Sequence, residues 1–282
     1  MFDTSHPEVH AAVDRALAED IGAGDVTTEL TVPAGLRASG RFLAKQDFIL
    51  AGIELLPLIY ARQGGAEIQL LRKSGDAIRT GDTLATVQAS ARTLLTCERV
   101  SLNFIQRLSG VATLARRHAD AVAGTKTRVL DTRKTTPGLR VLEKMAAAAG
   151  GATNHRKGLY DAVLIKNNHI TAAGGVRAAL ERVAAFGGPI EIEVRTRTEL
   201  DEALEARATH LLLDNLSPAE AAAWIGHIQG RATVELSGGI HLGNIREYAQ
   251  AGADFISCGA ITHSAVAVDI SFQLELEPSN AA

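Results

Sequence analysis

Ile190 to Ser237 reads IEIEVRTRTELDEALEARATHLLLDNLSPAEAAAWIGHIQGRATVELS. Three short apolar runs, IEIEV, HLLLD and TVELS, are separated by two stretches suited to helix, ELDEALEA and AEAAAWIGHI. Unbroken apolar runs alternating with helices imply strands buried on both faces, and therefore parallel strands joined by helical crossovers. Working outward, RVLDT and AVLIK precede this stretch and DFISCG follows it. Between them lie GLRVLEKMAAAA, VRAALERVAAF and LGNIREYAQA, all suited to helix. Six such units from about residue 127 onward predict a compact β/α barrel or an open α/β sheet.

The first hundred residues have a different texture. ASGRFLAKQDFILAG and AEIQLLRKSGDAIRTGDTLATVQA alternate in polarity and are broken by the Gly-Asp pairs at 75–76 and 81–82. They read as short strands joined by tight turns. A helix is expected from about Leu94 to Leu108, with Leu95, Val100, Leu102, Phe104, Ile105 and Leu108 on one broad face and Arg99 and Arg107 off it. The N-terminal stretch MFDTSHPEVHAAVDRALAEDIGAGD reads as an acidic amphipathic helix without a basic-then-apolar leader pattern.

Composition excludes several classes. With 46% hydrophobic and 22% charged residues, the chain falls among soluble globular proteins. No apolar run reaches the roughly 18 residues needed to span a bilayer, so no membrane partner is expected. Cys97 and Cys258 have neither metal-ligand nor redox-pair spacing, which predicts buried reduced thiols in a cytoplasmic protein.

Charge is unevenly distributed. The chain carries a net charge of -3. The window Asp131 to His169, DTRKTTPGLRVLEKMAAAAGGATNHRKGLYDAVLIKNNH, has seven Lys or Arg against three acids, a balance of +4. A short basic segment in a mildly acidic chain points to a local anion site; a nucleic-acid partner would call for a whole basic face and is not expected.

The polar residues of the barrel runs fall at one end of the strands. Asp131 to Lys134 closes the first run and Lys166 the second; Glu193 and Asp214 lie at the ends of the next two, and Ser237 and Gly259 follow the last two. The carboxyl ends of parallel barrel strands are where such barrels carry their active sites. Small residues in ELSGGI, ahead of a helix expected near Leu242, and in SCGAITHS allow backbone N–H groups to approach a phosphate. Glu193 and Asp214 could hold Mg²⁺, directly or through water or diphosphate. They could instead stabilise positive charge on a sugar ring, or form structural pairs with Lys166 or Lys134. Arg133, His155, Arg156 and Lys166 face them. The inferred ligand has a carboxylate-rich part, a cation-like reacting centre and at least one phosphate. No Ser-His-Asp or nucleophilic Cys pattern supports covalent acyl chemistry.

These residues resemble a known family. The Asp131 to His169 window looks like the signature of quinolinate phosphoribosyltransferases, also called carboxylating nicotinate-nucleotide pyrophosphorylases. The likeness continues through EDIGAGDVTTEL, ERVSLNFIQRLSGVAT, LLLDN, ELSGGI and GAITHS, in order along nearly the whole chain. The resemblance implies an N-terminal α/β sandwich over 1–110, joined by 268–282, and an incomplete parallel α/β barrel over 111–267. It implies phosphoribosyl transfer from phosphoribosyl diphosphate to quinolinate with loss of CO₂, giving nicotinate mononucleotide, with Mg²⁺ required. By the same carry-over, quinolinate meets Arg133, His155, Arg156 and Lys166, plus Arg99 from a second subunit of a homodimer or higher oligomer. Lys134, Lys166, Glu193 and Asp214 form the catalytic set, the two acids also serving the metal; Ser237, Gly238, Gly239, Gly259 and His263 line the phosphate end.

Three positions depart from the family pattern. Asn167 stands where Asp is common, Lys157 where Leu is usual, and Arg195 where an acidic or small residue is common. A molybdenum-transport-associated paralogue of the same fold departs in the NHR and K-N-H segments, which this chain retains as NHRKGLYDAVLIK. A non-catalytic nucleotide sensor would have lost Lys134, Glu193 or Asp214. An aldolase-like barrel would need a desolvated Lys166, which neighbouring acids oppose.

Overall fold

The computed structural model describes residues 2–276. In chain order the elements are α1 (Pro7–Ile21), α2 (Val26–Thr31), β1 (Arg37–Ala44), β2 (Phe48–Ile49), α3 (Leu56–Ala61), β3 (Glu67–Leu70), β4 (Ala77–Ile78), β5 (Thr83–Ser90) and α4 (Ala91–Ala121). They continue as β6 (Arg128–Leu130), α5 (Arg140–Ala149), β7 (Val163–Ile165), α6 (Asn167–Ala173), α7 (Val176–Val183), β8 (Ile190–Val194), α8 (Arg197–Glu205) and β9 (His210–Asp214). Last come α9 (Pro218–Ile228), β10 (Thr233–Ser237), α10 (Ile245–Gln250), β11 (Phe255–Ser257), α11 (Ala260–His263) and β12 (Ile270–Leu276). Two compact units result: Met1–Arg116, Thr136–Gly151 and Ser264–Ala282 form the first, and Arg117–Thr135 with Ala152–His263 the second.

The first unit is built on an antiparallel sheet ordered β12-β1-β5-β3. Side chains along β1 alternate between buried and open positions, as the alternating sequence implies for a sheet with one covered face. β12 pairs with β1 through Ala44↔Ile270 to Ala38↔Leu276, so chain from beyond the barrel returns to this sheet. The expectation for residues 277–282 lies outside the described residues. α1 starts on Pro7 at its first turn, with His6 accepting a bond from the Glu8 amide, and it buries Val9, Ala12, Val13 and Leu17 on one face. α4 runs 31 residues, well past the expected end at Leu108. Ser109 and Gly110 are both buried, and the Ser109 hydroxyl accepts a bond from Ala51 N, so packing carries the helix through a pair of weak helix formers. α5 groups with this unit.

The second unit is a six-stranded parallel sheet ordered β6-β11-β10-β9-β8-β7, alternating with helices as an incomplete α/β barrel. The central residues of β9 and β10 are buried without alternation, as expected for parallel strands covered on both faces. Each fully buried Leu or Val contributes roughly 1.5–3 kcal/mol. A single bridge from Leu130 to Thr153 extends the sheet beyond β6. α9 shows local encoding directly: Ser217 caps it, Pro218 opens it, and Glu220 completes a capping box. α10 begins at Ile245, three residues later than the helix expected near Leu242. His241 N donates to the Asn244 side chain, which extends the turn and delays the helix. Among the described residues, no helix is long and apolar enough to cross a membrane.

Candidate active site at the carboxyl ends of the barrel strands

A cavity of about 670 Å³ opens at the carboxyl ends of the barrel strands. Lys134, Lys166, Glu193, Asp214, Arg133, His155, Arg156, Ser237, Gly238, Gly239, Gly259 and His263 all line it. Arg99 does not; it is exposed on α4, in the first unit.

The basic side is held by a buried anchor. Asp131, fully buried just past β6, accepts bonds from His155 N at 2.8 Å and from the Asn154 side chain at 2.7 Å. This fixes the loop that carries His155 and Arg156. Arg156 donates to the Ala162 carbonyl at 3.1 Å. Burial and the neighbouring Arg133 together lower its affinity for its proton. Two guanidinium groups close enough to repel mark a place that an anion would stabilise. Lys166 caps α6 from the end of β7 and reaches Glu193 at 3.3 Å, so one structural pair expected for Glu193 is present.

His155 has a different environment from its basic neighbours. Its Nε2 lies 3.2 Å from Glu191 and 3.4 Å from Glu235, while its Nδ1 accepts a bond from Arg156 N at 2.7 Å. Burial depresses the imidazole's basicity, but the two carboxylates outweigh it and lift its pKa to about 9. The Arg156 N–H aimed at Nδ1 pulls the other way, since it needs that nitrogen unprotonated. Burial also holds the Glu191 carboxyl above the usual range, reinforced by Glu235. Oε1 of Glu235 is buried without a hydrogen-bond partner. The three side chains are near enough to share a cation. Metal ligation through Nε2 would put a proton on Nδ1, facing the Arg156 N–H, so the ring geometry favours hydrogen bonding.

Glu191 and Glu235 were missed in the sequence, although a signal was available. Each lies two residues before a chosen strand-end residue, Glu193 and Ser237, and so on the same side of its strand. An acid at that position in an otherwise apolar strand lies one layer below the site.

The acidic side comprises Glu193 on β8 and Asp214 at the end of β9, on adjacent strands. Burial and then Glu193 hold the Asp214 carboxyl above its ordinary range, against the pull of Lys166, Arg195 and Lys134. One Asp214 oxygen accepts from the Asn215 side chain at 2.7 Å. Two oxygen ligands that push against one another suit Mg²⁺, which keeps several waters and takes further oxygens from a phosphate.

The small-residue loops follow β10 and β11. Gly238 has φ +92°, and a Cβ there would lie 2.7 Å from Asn215 N, so both conformation and space require glycine. A Cβ on Gly259 would lie 2.8 Å from the Lys134 side chain, so this glycine gives Lys134 room beside the loop. Among the described residues, the amides of Gly238, Gly239, Gly259 and Ala260 donate to no protein group. Free amides on two neighbouring loops are suited to accept a phosphate as a ligand.

Comparison with known proteins agrees with this geometry. Residues 25–109 match the quinolinate phosphoribosyl transferase N-terminal domain and residues 111–273 its C-terminal domain. The carboxylating nicotinate-nucleotide pyrophosphorylase of Mycobacterium leprae is 40% identical over 283 residues, covering 97% of this chain and 100% of that protein. The chloroplastic enzyme of the same name from Arabidopsis thaliana is 39% identical over 298 residues, covering 97% and 85%. The crystal structure of NadC from Streptococcus pyogenes superposes with a TM-score of 0.91 at 35% identity, over 96% of this chain and 97% of that one. Domain matches in order, relatives similar along almost the whole chain and a shared fold agree: this chain belongs to the quinolinate phosphoribosyltransferase family.

Proposed function

We infer that this chain transfers the phosphoribosyl group of phosphoribosyl diphosphate to the ring nitrogen of quinolinate, with loss of CO₂. The products are nicotinate mononucleotide and diphosphate, an entry into NAD. A relative from Nicotiana tabacum is named for this decarboxylating transfer, and that of Mycobacterium leprae for the same reaction in reverse. The observation that carries the reading is the single cavity in which a repelling arginine pair, two adjacent acids and four free amides converge.

Arg133, Arg156 and Lys166 take the two quinolinate carboxylates, and His155 supports them from below on its two glutamates. The amides of Gly238, Gly239, Gly259 and Ala260, with Ser237 and His263, receive the ribose phosphate. Lys134, held beside Gly259, spans the two ends of the cavity. Glu193 and Asp214 lie on the ribose and diphosphate side and hold Mg²⁺ there, directly or through water. When bound, the metal neutralises charge on the leaving diphosphate. As the ribose–diphosphate bond opens, positive charge grows on the ribose, and the two acids stabilise it more than they stabilise the ground state. The clamp holds the ring nitrogen facing that carbon. Once the nitrogen is alkylated, the cationic ring accepts the electron pair left by departing CO₂, and a proton from the medium completes the product.

We infer from family membership a homodimer with a shared site, in which the second copy would supply Arg99, a residue exposed on α4. Mixing inactive Arg99→Ala and Lys166→Ala subunits should restore part of the activity; no recovery after verified exchange would count against sharing. The buried free thiols Cys97 and Cys258 suit a reducing cytoplasm. The direct test of the reading is product analysis. Purified protein with quinolinate, phosphoribosyl diphosphate and Mg²⁺ should yield nicotinate mononucleotide and diphosphate in equal amounts. Absence of the mononucleotide would overturn the assignment.

A further inference from the structure

Arg195 is the first residue past β8. In the parallel ladder Val194 pairs with Leu213, so the next step of the register sets Arg195 beside Asp214. It is exposed. Its backbone is fixed: Arg195 N donates to Glu199 at 2.7 Å, at the capped start of α8. Its guanidinium has no hydrogen bond or ion pair among the described residues. The next arginine in sequence is committed elsewhere, with Arg197 stacked 5.7 Å from the Trp224 ring centroid. Lys166, the neighbouring cation at the end of β7, is paired with Glu193.

We propose that Arg195 binds the diphosphate of phosphoribosyl diphosphate at the Asp214 edge of the cavity. The inference rests on the functional reading above and adds to it a specificity residue outside the cavity lining. Two acids on β8 and β9 would repel a diphosphate, so the anion needs a cation on that side besides the metal. An arginine fork can take two phosphate oxygens at once, which an ammonium cannot match in geometry. The strand order separates this end from the other phosphate. The free amides follow β10 and β11, whereas Arg195 follows β8, with β9 between. Arg195 therefore meets the leaving diphosphate and not the ribose phosphate.

The test is calorimetry of inorganic diphosphate with Mg²⁺, and separately of quinolinate, on the intact protein at constant ionic strength. Arg195→Ala should weaken diphosphate binding roughly tenfold, the scale of one exposed charge-assisted contact. It should change quinolinate binding by less than about twofold, and Arg195→Lys should recover only part of the loss. Unchanged diphosphate binding in Arg195→Ala, or equal loss of both ligands, overturns the inference and leaves the functional reading standing. A wild-type protein that binds quinolinate but no diphosphate overturns the inference together with the phosphoribosyl half of that reading.

Discussion

Two buried charged clusters, one in each unit, differ in how completely the protein satisfies them. In the first unit, Glu143 on α5 is fully buried and every oxygen is engaged. Arg107 donates to it at 2.8 and 3.1 Å, and Thr136 adds its hydroxyl at 2.7 Å and its amide at 3.0 Å. In the second unit, Glu191, Glu235, Glu193 and Asp214 share fewer donors. One Glu235 oxygen is orphaned, Asp214 is held up by burial and by Glu193, and the nearby arginines repel. A buried charge whose partners are all protein groups holds structure. A cluster that holds like charges together, with one carboxylate oxygen unpartnered, is completed by something that binds.

This contrast can be broken by mutation, and the largest effect is expected in the satisfied cluster. Glu143→Ala leaves Arg107 largely desolvated without its carboxylate and strips Thr136 of both bonds. Breaking such a pair costs roughly 3–5 kcal/mol, with the lower end apt here because Arg107 is 26% exposed. Urea denaturation should report that loss, with turnover per folded molecule retained. A stability change within about 0.5 kcal/mol, the range of an ordinary surface substitution, would remove the distinction.

Asp214→Asn should do the reverse. Loss of one electrostatic stabiliser should lower kcat on the order of 10²–10³-fold. Stability should hold or rise, because the substitution relieves repulsion between Asp214 and Glu193. Normal turnover with a lowered melting temperature would move Asp214 into the structural class. Arg156→Ala comes next. Quinolinate affinity should fall by about 1.5–3 kcal/mol, the value of a hydrogen bond to a charged group, with diphosphate binding little changed. Equal loss of both ligands would contradict a carboxylate clamp.

The smallest effect sharpens the picture beneath the clamp. The His155 imidazole is raised from 6.5 to about 9, so its contribution to stability is present in full below pH 6.5. It is lost as pH rises from there through about 9. Glu235→Gln should shrink this pH dependence, because it removes one of the two carboxylates that raise the imidazole, so its cost should be larger at pH 6.5 than at pH 9. Parallel urea titrations at pH 6.5 and 9 measure it; identical pH slopes in both proteins would remove His155 as the source.

What the sequence disclosed follows the same physics. The barrel strands were legible because parallel strands covered on both faces must be apolar throughout, so a polar residue at a strand end stands out. Lys166, Glu193, Asp214 and Ser237 were found that way, and all line one cavity. The glycine loops were legible as a possible phosphate site, although the helix after ELSGGI starts later and is short. Glu191 and Glu235 are not legible in this way, because an acid inside an apolar strand reads as part of the run. The full extent of α4 was hidden because Ser109 and Gly110 weaken helix locally and only tertiary burial carries it through. The role of α5 in the first unit was also hidden, since a helix between two barrel strands reads as a crossover and its buried Glu143 pairs with a residue far away in sequence.

The central claim is that the like charges crowded at the barrel mouth are offset by quinolinate and phosphoribosyl diphosphate together. It is tested most directly with quinolinate labelled in the carboxyl group adjacent to the ring nitrogen. The intact protein should release labelled CO₂ in step with diphosphate, only when phosphoribosyl diphosphate and Mg²⁺ are both present, and Asp214→Asn should nearly abolish the release. Release without phosphoribosyl diphosphate, or diphosphate formed without CO₂, would contradict the account.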